Sequence, residues 1–438
     1  MKRRVVLSGI GCLSAAGAGA EALRAALAAG AALARPHRLE LGGGEWVQVR
    51  AARLPEIDRT ALLSPAQRRR MSLLSQDWVI SCLLARADAG LQSASPSPMQ
   101  EPSHGMPPPM RSAVCLGTAF GGLECTAAYL EGIGRDGLGL GNPFLFSESV
   151  ANAPAGHAAI ALDCRGLNVS LTCGDASGVA AVDCGARAIR DGRADMAFAG
   201  GVEEMTSPLM TVLARLGVAP IEAAEWRRRG PRRTGSSRSP AAGGSPAAAR
   251  TGARPPAPAA VPAPGEGAAC FLLEERERAL ARGVTPYAEI HPARLVSDPG
   301  AGATEWSRSV RPRVEALGAA LREAEITPAD LSGAVLHACG DPEADSSEEE
   351  AVFRGIAAER GAEGSLPTLR PSRILGTFAA AGAFSVAAAA LALRHPDLLS
   401  SGVPSARSGE AGRARHILLS AASWGGSCLG VVLSRSDG

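Results

Sequence analysis

Residues 168–189, NVSLTCGDASGVAAVDCGARAI, are the stretch on which the interpretation of the fold depends. A short run with strand character, NVSLT, is followed by a turn of small residues and then by an Ala-rich stretch with helical spacing. This order predicts a strand that enters a helix through a tight turn, and turns of that kind often present a nucleophile. Two candidates lie two residues apart, Cys173 and Asp175. The pattern by itself leaves open which of them occupies the apex.

Strand-like and helical stretches alternate along most of the chain. Apolar runs of strand length occur at residues 4–11, 112–118, 168–173, 196–201, 267–275, 333–340 and 416–422. Ala-rich stretches with helical character separate them, among them residues 179–190, 313–324 and 380–394. Regular alternation of this kind predicts a layered α/β architecture.

Two segments interrupt the alternation. Residues 92–110 are rich in proline and serine and are interpreted as a loop. Residues 226–264 hold eight arginines and no acidic residue, and they contain almost no large aliphatic side chain. Such a composition cannot offset the entropy of ordering by burial, so we predict that this insertion is disordered.

Charge and cysteine content limit the classes of function. The net charge is +2, and without the eight positive charges of the insertion the rest of the chain carries −6, which argues against a nucleic-acid surface. Ten cysteines are scattered without a metal-binding spacing, which is typical of reduced thiols in a cytoplasmic protein and predicts no metal centre. Lys2 is the only lysine, so a mechanism that needs an internal lysine is excluded.

Two stretches superficially resemble export or membrane signals. MKRR followed by VVLSGIGCLSAAGAGA has the outline of a signal peptide, but Gly9 and Gly11 interrupt its apolar block. Residues 378–393 form the longest apolar run, which is shorter than the ~20 residues of a membrane span. We therefore expect a buried first strand, a buried helix at the apolar run and a cytoplasmic protein.

The elbow and several other blocks resemble the β-ketoacyl synthases of the thiolase fold. TCGDASG resembles the family's nucleophile elbow, T-A-C-(S/T/A)-S-G, and GRADMAFAGGVEE resembles its G-x-A-D-(V/M)-x-x-A-G-G-x-E block. Similar blocks occur in the family's order at RRVVLSGIGCLSAAGAGAEALRAALAAG, NPFLFSESVANAPAGHAAIALD, GEGAACFLLEERERALARG and LSAASWGGS. The resemblance implies a thiolase-like α/β fold of two related halves in a five-layered αβαβα arrangement. The N-terminal half would cover residues 1–225 and the C-terminal half residues 265–438, with the insertion 226–264 between them.

Active enzymes of this family use a cysteine nucleophile, two histidines and a lysine. Alignment of the elbow without gaps from either side places Asp175 at the nucleophile position and leaves Cys173 two residues upstream, in the strand. A carboxylate at a helix N-terminus is expected to act as an N-cap, because it can accept hydrogen bonds from backbone N–H groups there. It is a poor substitute for a thiolate, which is the species that attacks a thioester.

The histidine and lysine positions also depart from the family pattern. The first histidine position falls on Ala338 or Cys339, depending on where a one-residue gap is placed, and His337 lies next to it. Ser372 stands in the place of the lysine, and Thr377 stands in the place of the second histidine. Loss at all four positions indicates that the chain has no condensing activity of its own.

This combination resembles the chain-length factors of type II polyketide synthases and the inactive subunits of polyene and aryl-polyene systems. Those factors typically carry glutamine at the nucleophile position, where this chain has Asp175. The resemblance implies a heterodimer with an active β-ketoacyl synthase, an acyl carrier protein as a further partner, no cofactor and no metal. In the family, the strand before the elbow pairs across the twofold axis of the dimer. Here that strand comprises Asn168, Val169, Ser170, Leu171 and Thr172.

Two more segments correspond to functional parts of the family. NPFLFSESVANAPAG matches the segment that crosses the subunit interface and walls the partner's acyl tunnel. Leu145 and Phe146 are its candidates for limiting chain length, and simple core packing is the alternative for both. The family's glycine-rich gating loop corresponds to Trp424, Gly425 and Gly426, and Trp424 is bulkier than an open loop favours.

Two other functions stay open on the sequence alone. A degenerate condensing enzyme could retain acyltransferase or thioesterase activity through Cys173 or Asp175, with His337 as the candidate base. A scaffold could bind an acyl carrier protein through arginines without acting on the acyl chain. The acidic run at residues 341–350 is interpreted as a solvated helix start and not as a metal site, because charge runs of this kind usually face solvent.

Overall fold

The computed structural model describes residues 3–42, 45–91, 111–215, 263–303, 305–356, 366–378, 380–399 and 414–436. The predicted loop at residues 92–110 lies outside the described residues, and so does the predicted insertion, apart from its last two residues. Within the described ranges the chain forms fourteen β-strands and thirteen α-helices.

The strands and helices alternate as the sequence predicts. The strands are β1 (Val5–Ser14), β2 (Gly17–Ala18), β3 (Arg35–Gly42), β4 (Glu45–Ala51), β5 (Ser112–Gly117), β6 (Asn168–Leu171), β7 (Met196–Glu203), β8 (Gly267–Glu275), β9 (Ala288–Ile290), β10 (Arg294–Ser297), β11 (Gly333–Val335), β12 (Thr368–Leu369), β13 (His416–Ser423) and β14 (Ser427–Ser434). The helices are α1 (Ala20–Ala29), α2 (Pro65–Arg68), α3 (Leu73–Asp88), α4 (Leu123–Asp136), α5 (Pro143–Glu148), α6 (Ala153–Leu162), α7 (Ser177–Arg190), α8 (Ser207–Arg215), α9 (Arg276–Ala281), α10 (Val310–Ala324), α11 (Pro342–Glu350), α12 (Pro371–Leu375) and α13 (Gly382–Arg394).

Twelve of these strands form one sheet, and β3 and β4 form a separate hairpin. The order across the sheet is β12-β11-β13-β14-β9-β1-β8-β7-β5-β6, with β10 beside β14 and β2 beside β1. Because β9 pairs with both β1 and β14, it joins a first group of strands (β1, β8, β7, β5, β6) to a second group (β14, β13, β11, β12). The sequence places β8 at the start of the C-terminal half, and in the structure β8 pairs with β1 and β7 of the first group.

Helices on both sides of the two strand groups produce five layers. α3 and α6 cover one face of the first group, and α7 packs on its other face against β7 and β5. α7 contacts α13, which packs against β13 of the second group, and α10 covers the opposite face of that group. α13 can occupy the central layer because it is apolar on every side, with all of its residues from Gly382 to Leu393 buried.

The predicted elements are present with shifted ends. The run at residues 333–340 is a strand only over Gly333–Val335, and after it the chain turns out of the sheet, with positive φ values of 48° at Ala338 and 94° at Gly340. The sequence patterns do not predict β14 or the β3–β4 hairpin. The buried helix expected at the longest apolar run is α13. In the ranges that the structure covers, every helix is too short or too polar to cross a bilayer.

One edge of the sheet and the helices beside it expose apolar side chains. β6 lies at this edge and pairs only with β5 among the described strands. α6 packs against β6, and α5 contacts both α6 and α4. Eight of the fourteen large apolar side chains that are exposed in the described residues belong to this region: Phe120, Leu130, Leu138, Leu140, Phe144, Phe146, Val150 and Ile160. We call these side chains, together with β6, the apolar surface.

Candidate functional site

The elbow is a single 3₁₀ turn, Gly174–Ala176, between β6 and α7. Gly174 has a φ of 58°, and a Cβ atom there would lie 2.2 Å from a side-chain oxygen at the end of β13, so the turn requires glycine. The Ser177 hydroxyl accepts a hydrogen bond from the N–H of Cys173 at 2.9 Å and donates one to the Gly174 carbonyl at 2.6 Å. In this turn Asp175 is buried, with 8% of its surface exposed, whereas Cys173 is exposed.

Asp175 contacts two side chains that follow it by more than a hundred residues. Its Oδ2 accepts a hydrogen bond from Nε1 of Trp306 at 2.9 Å and lies 3.7 Å from Nε2 of His337. The expected N-cap role of Asp175 is wrong, because the residue lies within the turn and its side chain caps neither the turn nor α7. The carboxylate instead connects the elbow to two loops associated with the second strand group.

His337 follows β11 and is buried, with 4% of its surface exposed. Burial lowers the pKa of an imidazole, but the Asp175 carboxylate outweighs this effect, with a smaller contribution from Glu348, so the pKa of His337 is raised. When protonated, His337 therefore forms a buried ion pair with Asp175. Such a pair can hold charge or transfer a proton, but it contains no strong nucleophile.

A buried glutamate holds the backbone that carries this imidazole. Glu348 accepts hydrogen bonds from the N–H of His337 at 3.0 Å, from the N–H of Ala338 at 2.9 Å and from the hydroxyl of Ser420 at 2.5 Å. A guanidinium nitrogen of Arg313 lies 3.9 Å from the same carboxylate. Ala338 has a positive φ, which is a strained conformation for a residue other than glycine, and these bonds hold it in place. The expectation of a solvated acidic run is therefore wrong for Glu348, although α11 does begin within that run.

The positions expected for the lysine and the first histidine support the same segment. The Ser372 hydroxyl lies 2.9 Å from the carbonyl oxygens of both His337 and Ala338 and donates to them. Cys339 is buried, and its Sγ lies 3.4 Å from an oxygen of Asp345. Desolvation raises the pKa of the Cys339 thiol, which keeps it protonated. These residues stabilise the loop and do not supply a base or a nucleophile.

Thr377 and Cys173 stand apart from the carboxylate–imidazole pair. Thr377 makes its described hydrogen bonds through its backbone, to the Ala263 carbonyl at 2.8 Å and from the Gly265 N–H at 2.9 Å. The pKa of the Cys173 thiol is raised by desolvation, which disfavours the thiolate. The elbow thus exposes the Cys173 thiol and buries the Asp175 carboxylate.

Two tryptophans pack together beside the elbow, and one of them, Trp306, is hydrogen-bonded to the Asp175 carboxylate. Trp424 lies in the turn between β13 and β14, together with Gly425 and Gly426, whose φ values are 79° and 77°. Its ring packs edge to face against that of Trp306, with ring centres 5.4 Å apart and planes at 70°. Trp306 is not among the residues predicted from the sequence. The sequence could have identified Trp306 only by its rarity. The chain holds five tryptophans and 3% aromatic residues, and two of the five tryptophans pack together here.

The residues predicted at the subunit interface lie on or beside the apolar surface. Leu145 is partly buried, whereas Phe146 is 59% exposed and packs its ring against that of Tyr129 at 5.6 Å. Residues 168–171 form the edge strand, and Thr172 follows it as an exposed residue. Core packing therefore does not account for Phe146. Across the ranges that the structure covers, no three His, Cys, Asp or Glu side chains are grouped so that they could hold a metal ion.

Comparison with known proteins matches both halves of the chain. Residues 2–219 match the family described as β-ketoacyl synthase, N-terminal domain, and residues 287–401 match β-ketoacyl synthase, C-terminal domain. The chain is 28% identical to the tetracenomycin polyketide synthase ketoacyl synthase alpha subunit of Streptomyces glaucescens over 421 residues, covering 90% of this chain and 85% of that protein. It is 26% identical to 3-oxoacyl-(acyl-carrier-protein) synthase 2 of Vibrio harveyi over 359 residues, covering 82% and 78%.

Solved structures share the fold of this chain at low sequence identity. The ishigamide ketosynthase/chain length factor has a TM-score of 0.74 and 21% identity, with 100% of both chains covered. A β-ketoacyl synthase from Burkholderia phymatum has the same TM-score and identity, with 99% of this chain and 100% of that chain covered. These similarities confirm the thiolase-like α/β fold predicted from the sequence.

Proposed function

The chain belongs to the β-ketoacyl synthase family, and we propose that it is a non-catalytic subunit, a chain-length factor, that pairs with an active ketosynthase in polyketide or polyene biosynthesis. The observation that carries the proposal is the side chain at the apex of the elbow. Asp175, which the sequence comparison assigns to the nucleophile position, is buried and is hydrogen-bonded to Trp306. A carboxylate held in this way does not form the acyl thioester on which condensation by this family depends.

The other catalytic positions support the same conclusion. Ser372, in the place of the lysine, carries no charge and donates to backbone carbonyls. Thr377, in the place of the second histidine, has no imidazole. The imidazole described beside the elbow belongs to His337, and it is paired with Asp175. A serine and a threonine cannot replace the proton transfer and charge stabilisation that the family's lysine and histidine supply.

The apolar surface supports pairing with another chain of the same fold. Among the described strands β6 pairs on one side only, so its other side would expose backbone groups that a strand from a partner would satisfy. Burial of neighbouring side chains such as Leu130 and Ile160, which are 61% and 81% exposed, would add hydrophobic stabilisation. We propose an active ketosynthase as the partner rather than a second copy, because two copies of this chain would place Asp175 at both elbows.

We further propose that Leu145 and Phe146 contribute to the wall of the partner's acyl tunnel and limit the length of the product. The exposure of Phe146 and its packing on Tyr129 support this role, because they fix a large ring at the surface without burying it in the core. The acyl carrier protein is then a partner of the assembled pair, to which it delivers the growing chain.

A degenerate condensing enzyme with residual acyltransferase or thioesterase activity is the second candidate. The observation that favours it is the buried pair of His337 and Asp175, in which an imidazole lies 3.7 Å from a carboxylate. Cys173 is the other possible nucleophile, although its raised thiol pKa weighs against it.

Acyl loading distinguishes the two candidates. The full chain is produced alone and together with an active ketosynthase of this family, and both samples receive acyl carrier protein with a radiolabelled acyl group. We expect label on the active ketosynthase only, and product only from the pair. Covalent label on this chain, lost on Cys173→Ala or Asp175→Asn, would overturn the proposal in favour of the degenerate enzyme.

A further inference from the structure

The side chains that meet at Asp175 do more than replace missing catalytic groups. A subunit that has lost its nucleophile could retain an open pocket, yet here an indole is bonded directly to the carboxylate and a second indole packs on the first. We propose that Trp306 and Trp424 form a plug that closes the pocket of Asp175 and His337 to thioester ligands, and that Asp175 is the latch that holds the plug shut.

The loop that carries Trp306 is braced where it joins the rest of the fold. It connects β10 to α10, and the Ser307 hydroxyl donates a hydrogen bond to the Asp298 carboxylate at 2.6 Å. A guanidinium nitrogen of Arg313 donates to the Ser307 carbonyl at 2.9 Å, and both of these residues are buried. These bonds fix the direction in which the loop enters the pocket, so that the indole reaches the elbow from a rigid base.

The turn that carries the second indole is bonded to the same loop. The N–H of Gly425 donates to the Glu305 carbonyl at 3.0 Å, and the N–H of Asp298 donates to the Gly426 carbonyl at 2.9 Å. A Cβ atom on Gly426 would lie 2.5 Å from the Asp298 carbonyl oxygen, so the two segments touch backbone to backbone. The loop and the turn therefore form one unit, and opening one of them requires movement of the other.

The latch explains why the apex carries an aspartate. An indole N–H donates to a charged oxygen more strongly than to a neutral amide, and a buried N–H without an acceptor is costly. Nε2 of His337 lies 3.7 Å from the same carboxylate oxygen. A glutamine or alanine at position 175 would leave the Trp306 N–H with a weaker acceptor or with none.

The plug would have a consequence for acyl transfer. Closure of this pocket prevents the carrier-bound chain from entering a subunit that cannot process it, and directs it to the partner. This consequence for the pair rests on the function proposed above, whereas the closure itself concerns this chain alone.

Carboxylate reactivity tests the closure. Asp175 stays in place, because its replacement would itself release the plug, and Trp306→Ala removes the indole bonded to it. The full chain is treated with a water-soluble carbodiimide and glycine ethyl ester, and modification of Asp175 is followed by mass spectrometry relative to the exposed Asp163. We expect the relative rate at Asp175 to increase by roughly tenfold or more in Trp306→Ala.

Two comparisons make this result specific. Trp306→Phe keeps most of the bulk and loses the N–H, so its rate should lie between the other two. Equal relative rates with and without Trp306 would overturn the plug. Its failure is distinguishable from failure of the proposed function, because the latter is decided by acyl label on the unmodified chain.

Hydrogen exchange tests the latch itself, and also decides the question where Trp306→Ala does not fold. Asp175→Ala removes the acceptor for Trp306, whereas Asp175→Asn retains a neutral oxygen. For Asp175→Ala we expect amide exchange in the loop between β10 and α10, and in the turn at Trp424, to become roughly tenfold faster, with a smaller increase for Asp175→Asn. Unchanged exchange in both segments for Asp175→Ala would show that the carboxylate does not hold the plug.

Discussion

The elbow and the apolar surface lie next to each other along the chain, but Asp175 of the elbow is buried and the apolar surface is exposed. Asp175 is 8% exposed, and its partners Trp306 and His337 belong to this same chain. β6 ends four residues earlier and, among the described strands, pairs on one side only, beside helices that expose side chains such as Ile160. Side chains of this same chain therefore bury Asp175, whereas the apolar surface stays exposed. The contrast agrees with the proposed role in pairing, and four changes would break or sharpen it.

The largest effect is expected from charge on the apolar surface. Leu130→Glu combined with Ile160→Glu would place two carboxylates where the partner is proposed to bind, which should weaken the complex by about 3–5 kcal/mol, or more than roughly a hundredfold in Kd. Both residues are exposed, so the melting temperature of the free chain should change little. Titration of each variant with the active ketosynthase by surface plasmon resonance measures the effect.

A matched control lies outside this surface. Leu295 on β10 is 59% exposed, close to the 61% of Leu130, so Leu295→Glu reproduces one of the two added charges at a comparably exposed apolar position. Its affinity for the ketosynthase should equal that of the unmodified chain. Similar losses from Leu295→Glu and from the paired substitution would contradict the assigned interface.

The next effect concerns the support beneath the pocket. Glu348→Ala would leave the N–H groups of His337 and Ala338 without their acceptor, which should lower the free energy of unfolding by about 3 kcal/mol. Urea denaturation measures this change. Glu350→Ala is the control in the same acidic run, because that side chain is exposed and bonded only to Arg354, and its effect should stay below about 0.5 kcal/mol. Equal effects would mean that Glu348 has no supporting role.

A smaller, pH-dependent effect is expected from the buried pair. The pKa of His337 is raised in the folded chain, so its contribution to stability is complete below its unfolded pKa of about 6.5 and is lost as pH rises through the folded value. His337→Asn should therefore destabilise the chain more at about pH 5.5 than at about pH 8.5, as measured by urea unfolding. Asp175→Asn should remove most of the same pH dependence. A loss that grows toward high pH would contradict the pairing.

The proposed tunnel wall is expected to give the smallest effect on stability, together with a measurable change in product length. Phe146→Ala removes an exposed ring that packs on Tyr129, so the free energy of unfolding should fall by less than about 1 kcal/mol. The reconstituted pair should release longer products, as measured by mass spectrometry. Phe144→Ala, on the same helix, is the control and should leave the length unchanged. Loss of the complex, or equal products from both variants, would argue against the wall.

Local patterns were sufficient for most of the fold. The predicted strand at residues 267–275 is β8 and has the same two ends in the structure. The apolar run that ends at Leu393 corresponds to α13. Both depend on periodicity and composition within one segment, and these are visible in sequence. The length of β11 was overestimated from the sequence. The chain leaves the sheet with positive φ values at Ala338 and Gly340, and contacts from Glu348 and Ser372 hold this conformation, which a local sequence pattern does not predict.

For the candidate site, the sequence yields a prediction of lost catalytic groups, which stays a prediction, and it predicts none of the contacts. The resemblance to the family identified Asp175, Ser372 and Thr377 as substitutions at catalytic positions. The burial of Glu348 and the role of Trp306 were missed, because each depends on a residue distant in sequence. Trp306 contacts Asp175 across 131 residues, a separation over which no periodicity links them.

The sequence by itself determined the α/β alternation, the elbow between β6 and α7, and the absence of the family's thiol, lysine and histidine at their expected positions. These follow from residue identities and short-range spacing, which the linear chain carries directly. Only the tertiary structure decided that the Asp175 carboxylate accepts from an indole rather than from the helix N-terminus, and that β6 is an uncovered edge. Both outcomes depend on which distant segments pack together, and packing is a property of the whole folded chain.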